Sequence, residues 1–225
     1  MNRELGPRLL AVASAVPSCE SMVDCGCDHA YVSIHIAESG RVGKITASDI
    51  NEGPLKNAES EIASAGFEKV IKTRLTDGLC GIDAHECVVI AGMGGETIAE
   101  IIEKTDWTKE CKALVLQPMT KVEILREFLY REGFEIYRED IVTESKHIYN
   151  IISARYVGTV PYVPYEKYIS RAALSEKLAA EYTDAIIERL SRELRSRVAA
   201  SALSDEERER RENDLNSLKE MREKL

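Results

Sequence analysis

The amino-acid sequence predicts an α/β fold, with an open and mostly parallel sheet followed by a helical appendage. Three observations predict it. Short apolar segments alternate with amphipathic helices through the first half. Two longer β segments, 134–142 and 147–157, follow with a connection too short for a crossover helix, so they must pair antiparallel. Beyond residues 159–164 only helical periodicity remains, and we expect two domains, 1–160 and 164–225.

Composition places the chain among globular proteins that neither cross a membrane nor bind nucleic acid indiscriminately. Hydrophobic residues make up 44% and charged residues 31% of 225 positions. No apolar run approaches the roughly 20 residues of a membrane span, and Met1-Asn2-Arg3-Glu4 opens no signal-peptide pattern. We therefore expect a cytoplasmic protein. The net charge of −9 argues against general affinity for phosphate backbones, although an average charge can hide a local basic patch.

The cysteines are predicted to be reduced thiols that pack as small hydrophobic residues. Their spacing matches no zinc-binding pattern, so no metal site is expected. Most lie in or beside predicted strands, where a free cysteine is usually buried. The six positions are Cys19, Cys25, Cys27, Cys80, Cys87 and Cys111.

The stretch from Met22 to Tyr31 predicts a strand, a sharp turn at Gly26 and a helix from His29 to Glu38. Open α/β sheets bind ligands beyond the carboxyl ends of their strands. Asp24 and Gly26 lie at such an end, and glycine allows the backbone to approach a ligand closely. The glycine-x-glycine-x-x-glycine spacing of dinucleotide sites is missing. The pattern fits the acid-x-glycine loop of Rossmann-like methyltransferases, which bind S-adenosylmethionine; an ordinary strand-to-helix turn is the alternative.

The remaining units of the sheet follow in order. Predicted strands cover residues 22–25, 44–48, 70–74, 87–90 and 112–116, and predicted helices cover 4–16, 29–38, 52–65, 96–103 and 121–131. Asp49 ends the second strand, where an acid typically binds ribose hydroxyls. We assign it to the cofactor site together with Ile50. A turn or helix-capping aspartate is the alternative for Asp49.

Two further loops are predicted to contact the cofactor. Asp77 and Gly78 form an ordinary turn sequence, but after the third strand an aspartate can also bind an adenine amino group. The fourth strand is continuously apolar, as expected when both faces are covered. It leads into Ala91, Gly92, Met93 and Gly94, where the glycines cost conformational entropy unless the backbone must approach a ligand.

The tail predicts two helices that form an antiparallel, coiled-coil-like hairpin. One apolar residue recurs every fourth position in the first helix. The break at 201–205 is followed by Ser204 and Glu207 at the spacing of a capping box. The first stripe comprises Leu174, Leu178, Tyr182, Ile186, Leu190, Leu194 and Val198, and the second helix carries Leu215, Leu218 and Met221.

Charge is distributed unevenly between the two parts. From Pro164 onward the chain has 13 basic and 14 acidic side chains, whereas the preceding part has 17 and 25. Arg189, Arg192, Arg195 and Arg197 are dense enough to form a positive strip that would hold RNA. The alternative is a solvated helix face balanced by neighbouring glutamates.

On these motifs the chain resembles the bacterial tRNA (adenine-22, N1)-methyltransferase family. The resemblance implies a Rossmann-like class I methyltransferase sheet, S-adenosylmethionine as cofactor, and a coiled-coil domain that helps to hold tRNA. The matching segments are Asp24-x-Gly26-x-Asp28-His29-Ala30-Tyr31, Asp77-Gly78-Leu79, Ile90-Ala91-Gly92-Met93-Gly94-Gly95 and Leu116-Gln117-Pro118. Ser33, Thr76, Met119 and Asn150 depart from the family's proline, glycine, asparagine and glutamate. Met119 and Asn150 are expected near the substrate.

The implied reaction needs mostly positioning, because adenine N1 carries an in-plane lone pair and loses no proton before attack. Its product is cationic. We assign the stabilising carboxylate to Asp28, with His29 orienting it or exchanging a proton. Tyr31 or Tyr149 would stack on the base, the alternative being a tyrosine that simply packs in the sheet. Gln117 would contact the base.

Three rival functions remain at this stage. A nicotinamide-dependent oxidoreductase also fits the strand order and the acid at the second strand, but the phosphate-binding glycines are missing. A small-molecule methyltransferase needs no arginine-bearing tail. In the third interpretation the tail is a dimerisation hairpin of a non-catalytic protein. A monomer or a weak dimer is expected.

Overall fold

The computed structural model describes residues 4–225 and contains a seven-stranded sheet with the order β3-β2-β1-β4-β5-β7-β6. The first five strands run parallel, and β7 lies antiparallel between β5 and β6. The strands are β1 Cys19–Cys25, β2 Val42–Asp49, β3 Ile71–Leu75, β4 Cys87–Gly94, β5 Ala113–Thr120, β6 Phe134–Glu144 and β7 His147–Tyr156. The predicted parallel sheet with a terminal antiparallel hairpin is confirmed.

Helices connect the strands and continue into the tail. They are α1 Pro7–Ala15, α2 Tyr31–Glu38, α3 Glu52–Ala65, α4 Gly95–Glu103, α5 Val122–Arg131, α6 Ala179–Ala199 and α7 Asp205–Arg222. Short 3-10 helices cover Asp106–Glu110, Pro164–Lys167 and Arg171–Ala173. The first of these, between α4 and β5, was not predicted from the sequence.

The sheet separates two apolar cores because successive strand side chains point to opposite faces. Met22 and Val89 face the core that contains α1, α2 and α3. Val23 and Val88 face the core that contains α4 and α5. All four side chains are fully buried, so β1 and β4 form the centre of the sheet and hold their carboxyl ends in fixed positions.

Most element boundaries differ from the sequence prediction by a few residues, and three of these differences have a specific physical reason. The helix predicted from His29 begins at Tyr31, because Asp28 and Ala30 have positive φ angles of 49° and 56° that no helix can contain. The strand predicted to end at residue 90 continues to Gly94, since Met93 and Gly94 still pair with β5 through two register shifts. The first helix begins at Pro7, a residue suited to the first helical position.

The sequence prediction that residues 1–4 open no signal-peptide pattern concerns residues that, except for Glu4, lie outside the described part of the chain. No helix within the described range combines the length and apolar character that a membrane span requires. Of the six cysteines, four are buried, and burial raises the pKa of Cys25 and Cys111 to about 12, which keeps both thiols protonated at neutral pH.

The tail forms the predicted antiparallel helix pair, but α6 begins at Ala179, so Leu174 and Leu178 of the predicted stripe precede the helix. Arg222 near the end of α7 donates two hydrogen bonds of 2.8 Å to Asp184 near the start of α6. The Ser204 hydroxyl accepts a hydrogen bond of 3.2 Å from the Glu207 amide and caps α7 as predicted. Ile186 and Leu218 pack with Ile141 of β6, so the base of the hairpin shares a core with the sheet edge.

The glycine at the start of α4 is predicted to be required for packing. A Cβ at Gly95 would collide with the carbonyl oxygen of Lys121. Gly95→Ala is therefore expected to lower the free energy of unfolding by about 1–3 kcal/mol, as overpacking does. Gly53→Ala in α3 is the matched control, because a Cβ there would have no atom within 4 Å. Urea unfolding of both variants checks this; equal stabilities would contradict the expected overpacking.

Candidate cofactor and substrate site

A cavity of about 360 Å³ lies beyond the carboxyl ends of β1, β2, β3 and β4. Eight of the ten residues predicted to bind the cofactor line it, and Asp24 and Gly94 do not. The lining residues are Cys25, Gly26, Ser48, Asp49, Ile50, Asn51, Thr76, Asp77, Gly78, Ala91, Gly92, Met93, Thr97 and Ile101. The six lining residues that the sequence did not predict are Cys25, Ser48, Asn51, Thr76, Thr97 and Ile101. Thr97 and Ile101 share a face of α4 at a spacing of four residues.

The loop after β1 is held against the end of β2. The amides of Gly26 and Cys27 donate hydrogen bonds of 2.8 and 2.9 Å to the carbonyl oxygen of Ser48. Gly26 has a φ of +80°, and the Met93 side chain occupies the space where a Cβ would be. A larger residue at Gly26 would therefore be strained and would also displace Met93.

Asp24 lies behind this loop and acts on the start of α2. Its carboxylate accepts a hydrogen bond of 2.7 Å from the Ser33 hydroxyl and another from the Ser33 amide. The N-cap residue Ala30 has no side chain able to cap α2, so Asp24 supplies the cap from β1. Complete burial raises the pKa of Asp24 to about 6, although the Ser33 hydrogen bonds oppose that shift.

The acid at the end of β2 presents a carboxylate to the cavity. Asp49 Oδ1 accepts a hydrogen bond of 2.9 Å from the Asn51 amide, which fixes the orientation of the side chain. The neighbouring Ile50 is 59% exposed, a large value for an apolar side chain beside a cavity. Asp77, on the loop after β3, is also exposed. The cavity thus combines acceptors for hydroxyl and amino groups with an apolar wall.

The three glycines that follow β4's apolar run have different roles. Gly92 has a φ of +84°, and a Cβ there would have no atom within 4 Å, so its open side faces space beside the cavity. A Cβ at Gly94 would lie 3.4 Å from the Thr120 hydroxyl, and Gly95 packs against Lys121. Of these three glycines, only Gly92 lines the cavity. Gly94 and Gly95 allow α4 to pack against the end of β5.

The predicted catalytic residues lie on the turn between β1 and α2, outside the cavity lining. Asp28 Oδ1 lies 3.8 Å from His29 Nε2, and the side chains are 69% and 39% exposed. The rings of His29 and Tyr31 stack with centroids 5.3 Å apart. The structure therefore brings these three residues together on an accessible rim that adjoins Gly26.

A second polar cluster forms where α1 meets β5 and the β6–β7 hairpin. Gln117 is fully buried, and its Oε1 accepts a hydrogen bond of 2.6 Å from Arg8 Nη1. The Gln117 amide nitrogen donates to the Pro118 carbonyl at 2.8 Å. The Arg8 guanidinium lies 5.6 Å from the centre of the Tyr149 ring, and Glu144 contacts both the side chain and the amide of Arg8.

This cluster changes what is expected of Gln117. Its amide has protein partners and links β5 to α1, and its contact with substrate stays a prediction. Arg8 was missed in the sequence, since nothing in a helical segment indicates which strand its side chain will reach. Met119 is 43% exposed at the same edge.

Asn150 does not lie where the sequence reasoning placed it. Its side chain is 2% exposed and donates a hydrogen bond of 2.9 Å to the buried Glu139. Tyr149 and Asn150 point to opposite faces because they are neighbours in a strand. Asn150 therefore belongs to the interior between the sheet and the tail, and its departure from the family pattern does not bear directly on the target base.

The predicted arginine strip is partly neutralised. Arg189 pairs with Glu123 at 3.1 Å and Glu193 at 3.6 Å, and Arg192 pairs with Glu188 at 2.9 Å. These pairs are exposed and therefore weak. Arg195 is exposed and has no ion pair among residues 4–225. The contact of Arg189 with Glu123 places α6 beside the start of α5, at the carboxyl edge of the sheet.

A larger groove of about 850 Å³ adjoins the cavity and shares Asp77, Gly78, Thr97 and Ile101 with it. Its far side is formed by Trp107 of the 3-10 helix before β5. Within the described residues no group of histidine, cysteine and acidic side chains has the arrangement of a metal site.

Comparison with known proteins gives consistent matches. A family model described as a methyltransferase domain matches residues 5–152. The tRNA (adenine(22)-N(1))-methyltransferase of Bacillus subtilis is 33% identical over 154 residues, which cover 67% of this chain and 65% of that enzyme. The aligned region thus spans just under two thirds of the length of that relative.

Solved structures match nearly the whole chain. A Rossmann-superfamily protein from Streptococcus agalactiae has a TM-score of 0.86 and 30% identity, with 98% of each chain covered. A Streptococcus pneumoniae protein, assigned as a tRNA (m1A22) methyltransferase and bound to S-adenosyl-L-methionine, has a TM-score of 0.83 and 27% identity over 97% of this chain and 99% of its own.

The raised pKa of Asp24 predicts a specific dependence of stability on pH. Its pKa is higher in the folded state, about 6, than the ordinary value of 3.8 for an aspartate. Folding is therefore unpenalised below pH 3.8 and loses about 3 kcal/mol as the pH rises through 6, at 1.36 kcal/mol per unit. Asp24→Asn keeps an acceptor for Ser33 and does not titrate. Its unfolding free energy relative to wild type should rise by that amount between pH 4 and 7. A pH-independent difference would contradict the assignment.

Proposed function

The chain belongs to the methyltransferase-domain family, and from that premise we propose that it is an S-adenosylmethionine-dependent tRNA methyltransferase that modifies N1 of adenine. By similarity to the Bacillus subtilis enzyme, the modified nucleotide is position 22. The observation that carries the proposal is the cavity at the strand ends, where an orienting acid, an exposed apolar side chain and an open glycine backbone lie together.

The residues around the cavity fit S-adenosylmethionine. Asp49 offers a carboxylate, held by the Asn51 amide, to the two hydroxyls of a ribose. Ile50 and Ile101 provide apolar surface for adenine, and Asp77 provides an acceptor for its amino group. Gly92 leaves room beside β4 for the sulfonium end of the molecule. Asp24 contributes indirectly, through the loop and helix that it holds.

When bound, S-adenosylmethionine supplies an electrophilic methyl group: the N1–CH3 bond forms, the S–CH3 bond breaks, and the bonding electron pair returns to sulfur. The protein has no proton to remove from N1 and contributes by positioning and by electrostatic stabilisation. Positive charge passes to the adenine ring. Asp28 on the accessible rim is the carboxylate assigned to that charge, with His29 3.8 Å away to orient it.

The acceptor base is proposed to approach from the rim. Tyr31, stacked on His29, and Tyr149, covered by Arg8, are the two aromatic side chains assigned to stacking. Gln117 and Arg8 join the end of β5 to α1 and support this edge. Tyr31 with His29 and Tyr149 with Arg8 flank the strand ends from different elements. This arrangement fits a planar base inserted between loops.

The tail is proposed to act as a coiled-coil domain, residues 164–225, that binds tRNA beside a catalytic domain of residues 1–160. Arg195 is exposed and unpaired within the described chain, and Arg189 and Arg192 have exposed partners that RNA phosphates can replace. The cytoplasm is the proposed compartment, and a monomer or weak dimer is the proposed state.

Cofactor binding should depend on Asp49. Asp49→Ala is expected to weaken S-adenosylmethionine binding by about 1–3 kcal/mol, because charge-assisted hydrogen bonds to the ribose are lost. Isothermal titration calorimetry measures this directly. Asp83→Ala, which removes an exposed carboxylate far from the carboxyl ends of the strands, is the control. Equal affinity of the two variants would remove Asp49 from the site.

The reaction itself is tested by methyl transfer to bulk bacterial tRNA, followed by mass spectrometry of the nucleosides. N1-methyladenosine is the expected product. Methylation of another atom, or of no nucleoside, would refute the proposed function.

The tail's role is tested with a charge reversal, by measuring the Kd of each variant for bulk bacterial tRNA. Arg195→Glu should lower tRNA affinity about three- to tenfold, since it removes one phosphate contact and adds a repulsion. Lys69→Glu makes the same charge change on an exposed residue at the opposite, amino-terminal edge of the sheet. Equal effects of the two reversals would mean that the arginine strip is only a solvated face.

A further inference from the structure

A buried ion pair lies between the sheet and the tail, away from the candidate site. Arg126 of α5 is 1% exposed and Glu139 of β6 is 1% exposed. Arg126 Nε donates to Glu139 Oε2 at 3.2 Å, and Nη2 donates to the other carboxylate oxygen. Asn150 of β7 donates a further hydrogen bond to Glu139. Every polar atom of the Glu139 side chain thus has a donor from the catalytic sheet or α5.

The same guanidinium extends into the tail. Arg126 Nη1 donates to the carbonyl oxygens of Lys167 and Tyr168, at 3.1 and 2.6 Å, and Nη2 donates to the Tyr182 hydroxyl of α6 at 3.2 Å. Burial lowers the pKa of Arg126, but Glu139 and Tyr182 outweigh that effect and hold the pKa above its usual range. The charge therefore persists at all physiological pH values.

A second branch reaches the other helix of the hairpin. The Tyr168 hydroxyl donates to Asp214 Oδ2 of α7 at 3.0 Å, and Lys167 Nζ lies 2.6 Å from the same oxygen. Lys167 and Tyr168 lie in the linker between β7 and α6. They bind Arg126 through their carbonyl oxygens and α7 through their side chains. Both tail helices are tied to one charged group of the catalytic domain.

Burying an ion pair contributes little to stability compared with apolar side chains of similar volume, because desolvation offsets the attraction. Its demanding geometry can instead specify one arrangement of the elements that it joins. Here those elements are α5, β6 and β7 on one side and the linker, α6 and α7 on the other. The start of α5 is also where Glu123 meets Arg189, next to the carboxyl edge of the sheet.

We propose that Arg126 is a positioning residue that fixes the angle of the helical hairpin, so that tRNA bound along α6 delivers its adenine to the rim at Asp28. The inference rests on the proposed function. When the hairpin is already held in the orientation that binds tRNA, tRNA binding does not have to supply the free energy of ordering it. If that orientation is only fractionally populated, the apparent affinity falls by that fraction.

The test uses two variants that preserve shape. Tyr168→Phe/Tyr182→Phe removes the hydroxyl links to both helices and leaves the Arg126–Glu139 pair intact. Arg126→Met/Glu139→Leu/Asn150→Leu replaces the three polar side chains of α5, β6 and β7 with apolar ones, which avoids an unpaired buried charge. Tyr162→Phe, which removes an exposed tyrosine hydroxyl outside this network, is the control. Circular dichroism and thermal melting establish that each variant is folded.

Four quantities are measured on the full chain: the Kd for S-adenosylmethionine, KM and kcat for tRNA, and the distance between spin labels on native Cys80 and on Val198→Cys. Both labelled positions are exposed, on the catalytic domain and on the outer part of α6. Pulsed electron resonance then reports the hairpin angle.

We expect a narrow distance distribution in wild type and a broad one in the apolar variant. KM for tRNA should rise about tenfold while kcat and the Kd for S-adenosylmethionine change less than about twofold, because only the competent fraction changes. The double phenylalanine variant should lie between these. An unchanged KM, or a raised KM with an unchanged distance distribution, would overturn the proposal. If wild type methylates no tRNA, the proposed function fails, whereas the distance measurement still decides whether Arg126 sets the hairpin angle.

Discussion

The hydrogen bonds between Asp24 and Ser33 are the constraint on which the rest of the site depends. They join the central strand β1 to the first turn of α2 across the loop that carries Gly26 and the rim residues. Ala30 cannot cap its own helix, and two non-glycine residues in the loop have positive φ angles. A buried carboxylate that caps the helix offsets these costs and keeps the loop in one shape.

From this constraint the two sides of the site follow. On one side, the loop is tied to the end of β2, which brings Asp49 and Ile50 to the cavity. On the other, it presents Asp28, His29 and Tyr31 to solvent. One strand-to-helix connection therefore separates the cavity at the strand ends from an accessible rim. The methyltransferase fold supplies the strand ends, and the loop determines which groups face each ligand.

The succession of elements along the chain and the antiparallel pairing of the last two strands could be predicted, because they depend on local periodicity and on connection length. The continuously apolar β4 and the short link before β7 are of this kind. The cavity residues followed from the rule that parallel strands end at one edge. The rest depends on contacts between distant residues. Nothing local shows that Ser33 meets Asp24, that Arg8 occupies the amide of Gln117, or that Asn150 faces the tail.

The most direct test of the site is a crystal structure of the protein with S-adenosylhomocysteine. We predict that the ribose hydroxyls contact Asp49, that adenine lies between Ile50 and Ile101, and that the sulfur lies near Gly26 and Gly92 on the side of the Asp28 rim. A ligand located in the groove beside Trp107, or a sulfur directed away from the rim, would contradict this prediction.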